Sequence, residues 1–179
     1  MRRRGTTLAE LLVTMTVLGV LTAIAAPRMK VSSRAMVEQN ARLLAQDLDL
    51  ARTRAYSTRA RVRTLVADST WRTFFDQNRD SVFSESTAEQ TAYGVMSRRM
   101  LEPRVILSRG KAGPLPSDTV TATGTTRRIQ FSPRGVAEPF GNTSVVYLTH
   151  RTDSASVYAV EVSPGANIRV WRWLNNTWQ

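Results

Sequence analysis

From Leu8 to Ala26, nineteen residues run with one charge, Glu10, and one glycine, Gly19. As a helix this run rises about 28 Å at about 1.5 Å per residue, enough to span the hydrocarbon core of a bilayer. Pro27 should kink it, because proline lacks a backbone donor and its ring clashes with the carbonyl of Ala23. From Ser33 the spacing changes. Val37, Ala41, Leu44, Leu48, Ala51 and Ala55 recur every three or four residues as one apolar stripe, and Arg34, Glu38, Arg42, Gln46 and Asp49 fall largely off it. The stripe is the face expected to pack on the chain's own sheet. Joined across Pro27, the two stretches predict one helix of roughly fifty residues, half in lipid and half in a globular head.

From Arg61 the period shortens. Residues 62–67 and 71–75 are rich in β-branched and aromatic side chains and read as a strand pair turning at Asp68, Ser69 and Thr70. Residues 84–100 are polar with weak helical character, and a strand follows at 104–108. The stretch 111–126 holds Gly113, Pro114, Pro116 and Gly124 without apolar periodicity, and predicts a long exposed loop. Four strands then come in quick succession at 127–132, 144–150, 156–163 and 167–174. Pro133-Arg134-Gly135, Thr152-Asp153-Ser154 and Pro164-Gly165 supply the turns. Short turns between close strands predict antiparallel sheet, so the fold class is α+β.

Charge sharpens the N-terminal picture. Arg2, Arg3 and Arg4 precede the apolar run, and the positive-inside rule places the N-terminus in the cytoplasm and everything after Pro27 outside. Arg28 and Lys30 mark the outer boundary. Glu10 is anomalous, since a carboxylate in hydrocarbon costs about 2.5–3.5 kcal/mol on insertion scales. Cleavage after Gly5 would free an α-amine on Thr6, four residues before Glu10 and on the same helical face. That amine would neutralise Glu10 in its own subunit or in a neighbour. A plain anchor explains the arginines but not Glu10. A secretory signal peptide would use Ala23-Ile24-Ala25 as its cleavage site, but the apolar run exceeds the usual length of about 7–15 residues and Pro27 lies just beyond the bond.

The string Arg2-Arg3-Arg4-Gly5, then Thr6-Thr7-Leu8-Ala9-Glu10-Leu11-Leu12, then an apolar helix ended by Pro27, resembles the class III signal of type IV pilins and pseudopilins. The resemblance implies cleavage by a prepilin peptidase between Gly5 and Thr6, N-methylation at Thr6, and assembly roles for Glu10 and Pro27. Thr6 departs from the family's usual phenylalanine at that position. The implied organisation is a leader at 1–5, a transmembrane and filament-core helix at 6–27, an amphipathic half-helix at 28–60 and a β-rich head at 61–179. The head is expected in the periplasm with the anchor in the inner membrane, and the partners are other pilins or pseudopilins and an inner-membrane assembly platform.

Further pieces resemble the GspH/FimT family: Ala51-Arg52-Thr53-Arg54-Ala55; Trp71 and Phe75 to Asp80; Ile129-Gln130-Phe131-Ser132-Pro133-Arg134-Gly135; and Val162-Ser163-Pro164-Gly165 before Ile168-Arg169-Val170. This implies a minor pseudopilin of type II secretion or a minor pilin, with an α-helix packed on antiparallel sheets. The absence of cysteine agrees, because major pilins often close a C-terminal loop with a disulfide and this chain has none to form.

Catalysis finds no support. His150 is the sole histidine, and no G-x-S-x-G elbow, phosphate-binding glycine loop or H-E-x-x-H is present. A trio of a serine with His150 and Asp153 is the arrangement left to examine. No cofactor is expected. Asp76, Asn78 and Asp80 have the alternation of half an EF-hand loop, but Ser81 stands where glycine is needed and Thr87 where glutamate is needed, so a polar turn is the expectation. The net charge is +11, and arginine supplies 23 of the 25 basic residues. Arg52, Arg54, Arg59, Arg61 and Arg63 fall in twelve residues without an acid, and Arg169, Trp171, Arg172 and Trp173 interleave cations with aromatics. On a strand Arg169, Trp171 and Trp173 share one face, which would suit phosphate contacts with base stacking, the alternative function being a FimT-like minor pilin that binds DNA. Against this, the tryptophans would pack on another layer while the arginines stay solvated or contact the next subunit.

Overall fold

The apolar N-terminal run and the stripe from Ser33 both form helices. The computed structural model describes residues 7–25, 32–76, 78–80, 83, 97–118 and 126–179. It divides the chain into two units, residues 1–32 and 33–179. The join between them, with Pro27, Arg28 and Lys30, lies outside the described residues, as do the leader and Thr6.

In the first unit α1 spans Leu8–Ala25. Its large side chains, among them Leu11, Leu12, Met15, Leu18 and Leu21, are exposed. The hydroxyls of Thr14, Thr16 and Thr22 donate to the carbonyls of Leu11, Leu12 and Leu18 at 2.9, 2.8 and 2.7 Å. A helix that satisfies its own polar groups and is apolar all round suits an apolar surrounding. Among the described residues, however, no helix is long and apolar enough to cross a membrane. The 18 residues of α1 rise about 27 Å.

In the second unit α2 spans Ser33–Thr58 and ends with Arg59 in the left-handed conformation at φ 52°. Every residue of the apolar stripe is fully buried. One sheet, sheet I, has the order β3-β2-β1-β5-β6, built from β1 (Val62–Ala67), β2 (Thr70–Phe75), β3 (Ser97–Met100), β5 (Arg127–Phe131) and β6 (Ala137–Glu138). The other, sheet II, has the order β10-β9-β8-β7-β4, from β4 (Val105–Leu107), β7 (Ser144–His150), β8 (Asp153–Val162), β9 (Ile168–Leu174) and β10 (Thr177–Trp178). All paired neighbours are antiparallel. The stripe shares one core with Val62, Val66, Trp71, Ile129 and Phe131 of sheet I and with Val146, Leu148, Tyr158, Val160 and Val162 of sheet II. The helix therefore packs on both sheets, and residues 33–58 belong to the same unit as the strands.

Buried polar groups tie helix to strands. Asp47 of α2, itself buried, accepts the indole N–H of Trp71 at 2.7 Å and pairs with Arg99 at 2.8 Å. Tyr158 donates to Glu38 at 2.9 Å. The hydroxyls of Ser33 and Ser156 donate to Asp153 at 2.6 and 2.5 Å, fastening the start of α2 to the β7–β8 turn. The Ser156 and Ser33 bonds hold the Asp153 carboxyl down at about 2. Its folded pKa thus lies below the unfolded value of about 3.9, so the contribution is complete above that pH and lost as pH falls towards about 2. Urea midpoints across this acid window should fall more steeply for the native chain than for Asp153→Asn. Equal slopes would show that the carboxylate contributes nothing there.

Two expectations are corrected. Residues 97–100 form β3 rather than helix, because pairing with β2 from Thr73↔Ser97 to Thr70↔Met100 outweighs a weak local preference; residues 84–96 lie outside the described ones. The loop from residue 111 is not simply exposed. Leu115 is buried against Val145, Tyr147 and Ala159, its N–H donates to the Tyr147 hydroxyl at 2.9 Å, and that hydroxyl donates to Asp118 at 2.8 Å. Burial pushes Tyr147 up to about 12. The two-residue strands β6 and β10 are too short to leave a periodic signal.

Candidate functional sites at the helix start and on the arginine surfaces

Thr7 stands just before α1, and its hydroxyl accepts the backbone N–H of Glu10 at 3.3 Å. Thr7-Leu8-Ala9-Glu10 is the sequence of a capping box, which places Glu10 at the third helical position. A carboxylate in the first turn also meets the positive end of the helix dipole. Glu10 thus has a local reason to sit where it does. The S/T-x-x-E spacing before an apolar run carries that signal in the sequence, independently of the charge argument. Gly5, Thr6 and Pro27 lie outside the described residues.

The C-terminal group is not one surface. Alternation along β9 puts Arg169, Trp171 and Trp173 on the side facing away from α2, whereas Arg172 lies opposite Tyr158 on the side facing it. The tryptophans are already engaged. Trp171 donates to buried Glu161 at 2.6 Å, and Trp173 packs edge-on against Trp178 at 5.1 Å between centroids. Base stacking would have to break these contacts. Trp178 reaches the Gly113 carbonyl at 3.1 Å and the Tyr147 ring at 5.8 Å.

The run at 52–63 divides as well. Arg52 donates to the Gly135 carbonyl at 3.2 Å, Arg61 lies 3.4 Å from Glu138, and Arg63 makes bonds of 3.2 and 3.1 Å to Gln130. The Arg63 guanidinium also stacks over Phe83 at 4.2 Å. Arg54 and Arg59 are exposed on and just beyond α2. Adjacent arginines in sequence have separate jobs in space.

The remaining candidates do not converge. Asp76 is buried, whereas Asn78 and Asp80 are exposed and bonded to each other at 2.8 Å, and among the described residues no group of three His, Asp or Glu could hold a metal ion. The Nδ1 of His150 lies 3.1 Å from the Thr152 hydroxyl, while Asp153 is taken by two serine hydroxyls. Among the described residues His150 and Asp153 are not joined in a charge-relay trio.

An apolar helix with a capped acidic first turn, followed in sequence by an amphipathic helix seated on two antiparallel sheets, is a pilin-like fold. Two crystal forms of the Pseudomonas aeruginosa type IV minor pilin FimU share the fold at 13% identity. The first has a TM-score of 0.52 over 75% of this chain and 87% of that one, the second 0.50 over 74% and 90%. The profile of the family described as Type II transport protein GspH matches residues 40–166, and that of the prokaryotic N-terminal methylation motif matches residues 1–26. The chain belongs to the GspH family. No curated protein matches it.

Proposed function

We propose that this chain is a minor pseudopilin of a type II secretion system, cleaved between Gly5 and Thr6 by a prepilin peptidase and methylated on Thr6. Before assembly the apolar helix holds it in the inner membrane with the residue 33–179 unit in the periplasm. It then joins other pseudopilins through the assembly platform. The observation that carries the reading is Glu10 in the first turn of an otherwise apolar helix, within the matched methylation motif. The freed Thr6 amine pairs with Glu10 of its own or a neighbouring subunit, and low dielectric strengthens that pair as the helices pack. Pro27 sets the exit from the apolar segment.

Glu10→Ala is expected to be inserted and cleaved at the native rate but to be missing from sheared filaments. Immunoblots of membrane and filament fractions read both steps. Incorporation at the native level would defeat the pairing. The shared fold with a minor pilin supports a second reading, a subunit of a type IV pilus. Deleting the gene separates the two, since loss of exoprotein secretion with intact pili supports the first and the converse supports the second.

A further inference from the structure

The end of the residue 33–179 unit at which α2 begins gathers positive charge from three separate stretches. The bond from the Ser33 hydroxyl to Asp153 fastens the first turn of α2 to the start of β8, which puts Arg34 and Arg151 at the same end. The backbone N–H of Arg151 donates to the Arg104 carbonyl, just before β4, at 2.7 Å. On the other side of the turn the N–H of Lys111 donates to the Ser154 carbonyl at 3.0 Å, and a bond from the Ala112 N–H to the Arg109 carbonyl folds Arg109 into the same loop. Arg34, Arg104, Arg109, Lys111 and Arg151 are all exposed, and among the described residues none of them is in an ion pair.

Two acids stand at this end. Asp153 is held by the hydroxyls of Ser33 and Ser156, and Glu102 is exposed with its N–H on the Asn40 side-chain oxygen at 3.2 Å. Five cations less two acids leave a local charge of +3. Further along α2 the balance is different, for Arg42 is paired with Glu38 at 2.7 Å and Asp47 with Arg99 at 2.8 Å. The chain also enters the unit at the basic end. Residues 26–32, which lead there from the apolar helix, add Arg28 and Lys30 and no acid.

We propose that this end of the head, through Arg34, Arg104, Arg109, Lys111 and Arg151, docks on the anionic phospholipid surface of the bilayer that holds α1. The proposal rests on the reading of α1 as a membrane anchor. Anionic headgroups give a bilayer surface a negative potential, and each Lys or Arg drawn into it favours the docked state roughly fivefold. Guanidinium groups meet phosphate oxygens two at a time, and a field of mobile headgroups can supply those oxygens wherever the five side chains fall. Docking holds the unassembled subunit by the α2 end of its head and leaves the opposite end open.

Because the chain has no cysteine, a single introduced one can carry a reporter. Ala155→Cys places it on an exposed position beside the patch, and Ser57→Cys on an exposed position about 36 Å along α2 from Ser33. Each full-length chain is labelled with a fluorophore and reconstituted into vesicles whose lipids carry headgroup quenchers. The label at 155 should be quenched when the vesicles contain phosphatidylglycerol and not when they are phosphatidylcholine alone. Added salt should relieve the quenching, because it screens exposed charges. The label at 57 should be quenched in neither. Arg104→Gln with Arg151→Gln should lower the ratio of docked to free heads roughly twenty-five-fold, whereas Arg54→Gln should leave it unchanged. Should that double variant misfold, Arg109→Gln with Lys111→Gln gives the same reading. Equal quenching with and without phosphatidylglycerol, or quenching that ignores salt and substitution, would overturn the proposal by making the tether its cause. Duplex DNA bound through these residues by a chain that stays unquenched in anionic vesicles would overturn it in favour of a soluble polyanion. Flotation separates the docking from the reading beneath it. A chain that floats with both kinds of vesicle but is never quenched keeps its anchor and loses the docking, and one that floats with neither loses both.

Discussion

Replacing Trp71 by alanine is expected to cost the residue 33–179 unit about 3–5 kcal/mol of unfolding free energy. Trp71 is 1% exposed and among the largest fully buried side chains, so its removal opens a cavity between β2 and α2. It also takes the indole donor from Asp47, leaving a buried carboxylate with Arg99 alone. Trp71→Phe separates these effects. It retains most of the ring and should cost about 1–3 kcal/mol, chiefly for the unmade hydrogen bond. Arg99→Ala should cost less than about 1 kcal/mol, because that side chain is half-exposed and solvent screens the pair. Urea unfolding followed by circular dichroism ranks the three. A phenylalanine variant as unstable as the alanine one would show that packing is secondary here.

Gly110→Ala should cost about 2–4 kcal/mol, a large effect for one methyl group. Gly110 has φ +54°, and an added Cβ would lie 2.6 Å from the Ser154 carbonyl, 3.0 Å from the Thr149 hydroxyl and 3.1 Å from Val157. The first contact is with backbone, so relief means moving the start of β8, where the Ser154 carbonyl accepts the N–H of Lys111 at 3.0 Å. Left-handed strain of about 1–3 kcal/mol and overpacking of about 1–3 kcal/mol both contribute. Gly165→Ala is the control. Nothing lies within 4 Å of its added Cβ, so its effect should stay within about 0.5 kcal/mol. Similar losses at the two sites would remove the steric explanation.

The parts of the fold governed by periodicity are legible in the sequence. The stripe from Val37 to Ala55 identifies every apolar residue of the buried face of α2, to which Asn40 and Asp47 add polar positions, and Val62–Ala67 and Ser144–His150 are strands with the predicted bounds. What fails is what depends on partners far along the chain. β3 exists because β2 offers it an edge, and Leu115 is buried because Tyr147 and Val145 lie beneath it. The arginines mislead for the same reason. Arg52, Arg61 and Arg63 look like one basic run until Gly135, Glu138 and Gln130 claim them, whereas Arg72, Arg98 and Arg128 lie far apart in sequence and become neighbours only through strand register. At the N-terminus, charge and length point to Glu10 without the structure, which adds the Thr7 cap.

Without a cysteine, the last strands are closed by contacts instead of a covalent bond. Asn175 and Asn176 both adopt the left-handed conformation, turning β9 into β10, and Arg172 and Gln179 exchange both backbone hydrogen bonds. Trp178 then lies against Trp173 and Tyr147. A closure of this kind is indifferent to the redox state of its compartment. It needs no oxidising enzyme to form, because packing and backbone pairing alone complete it.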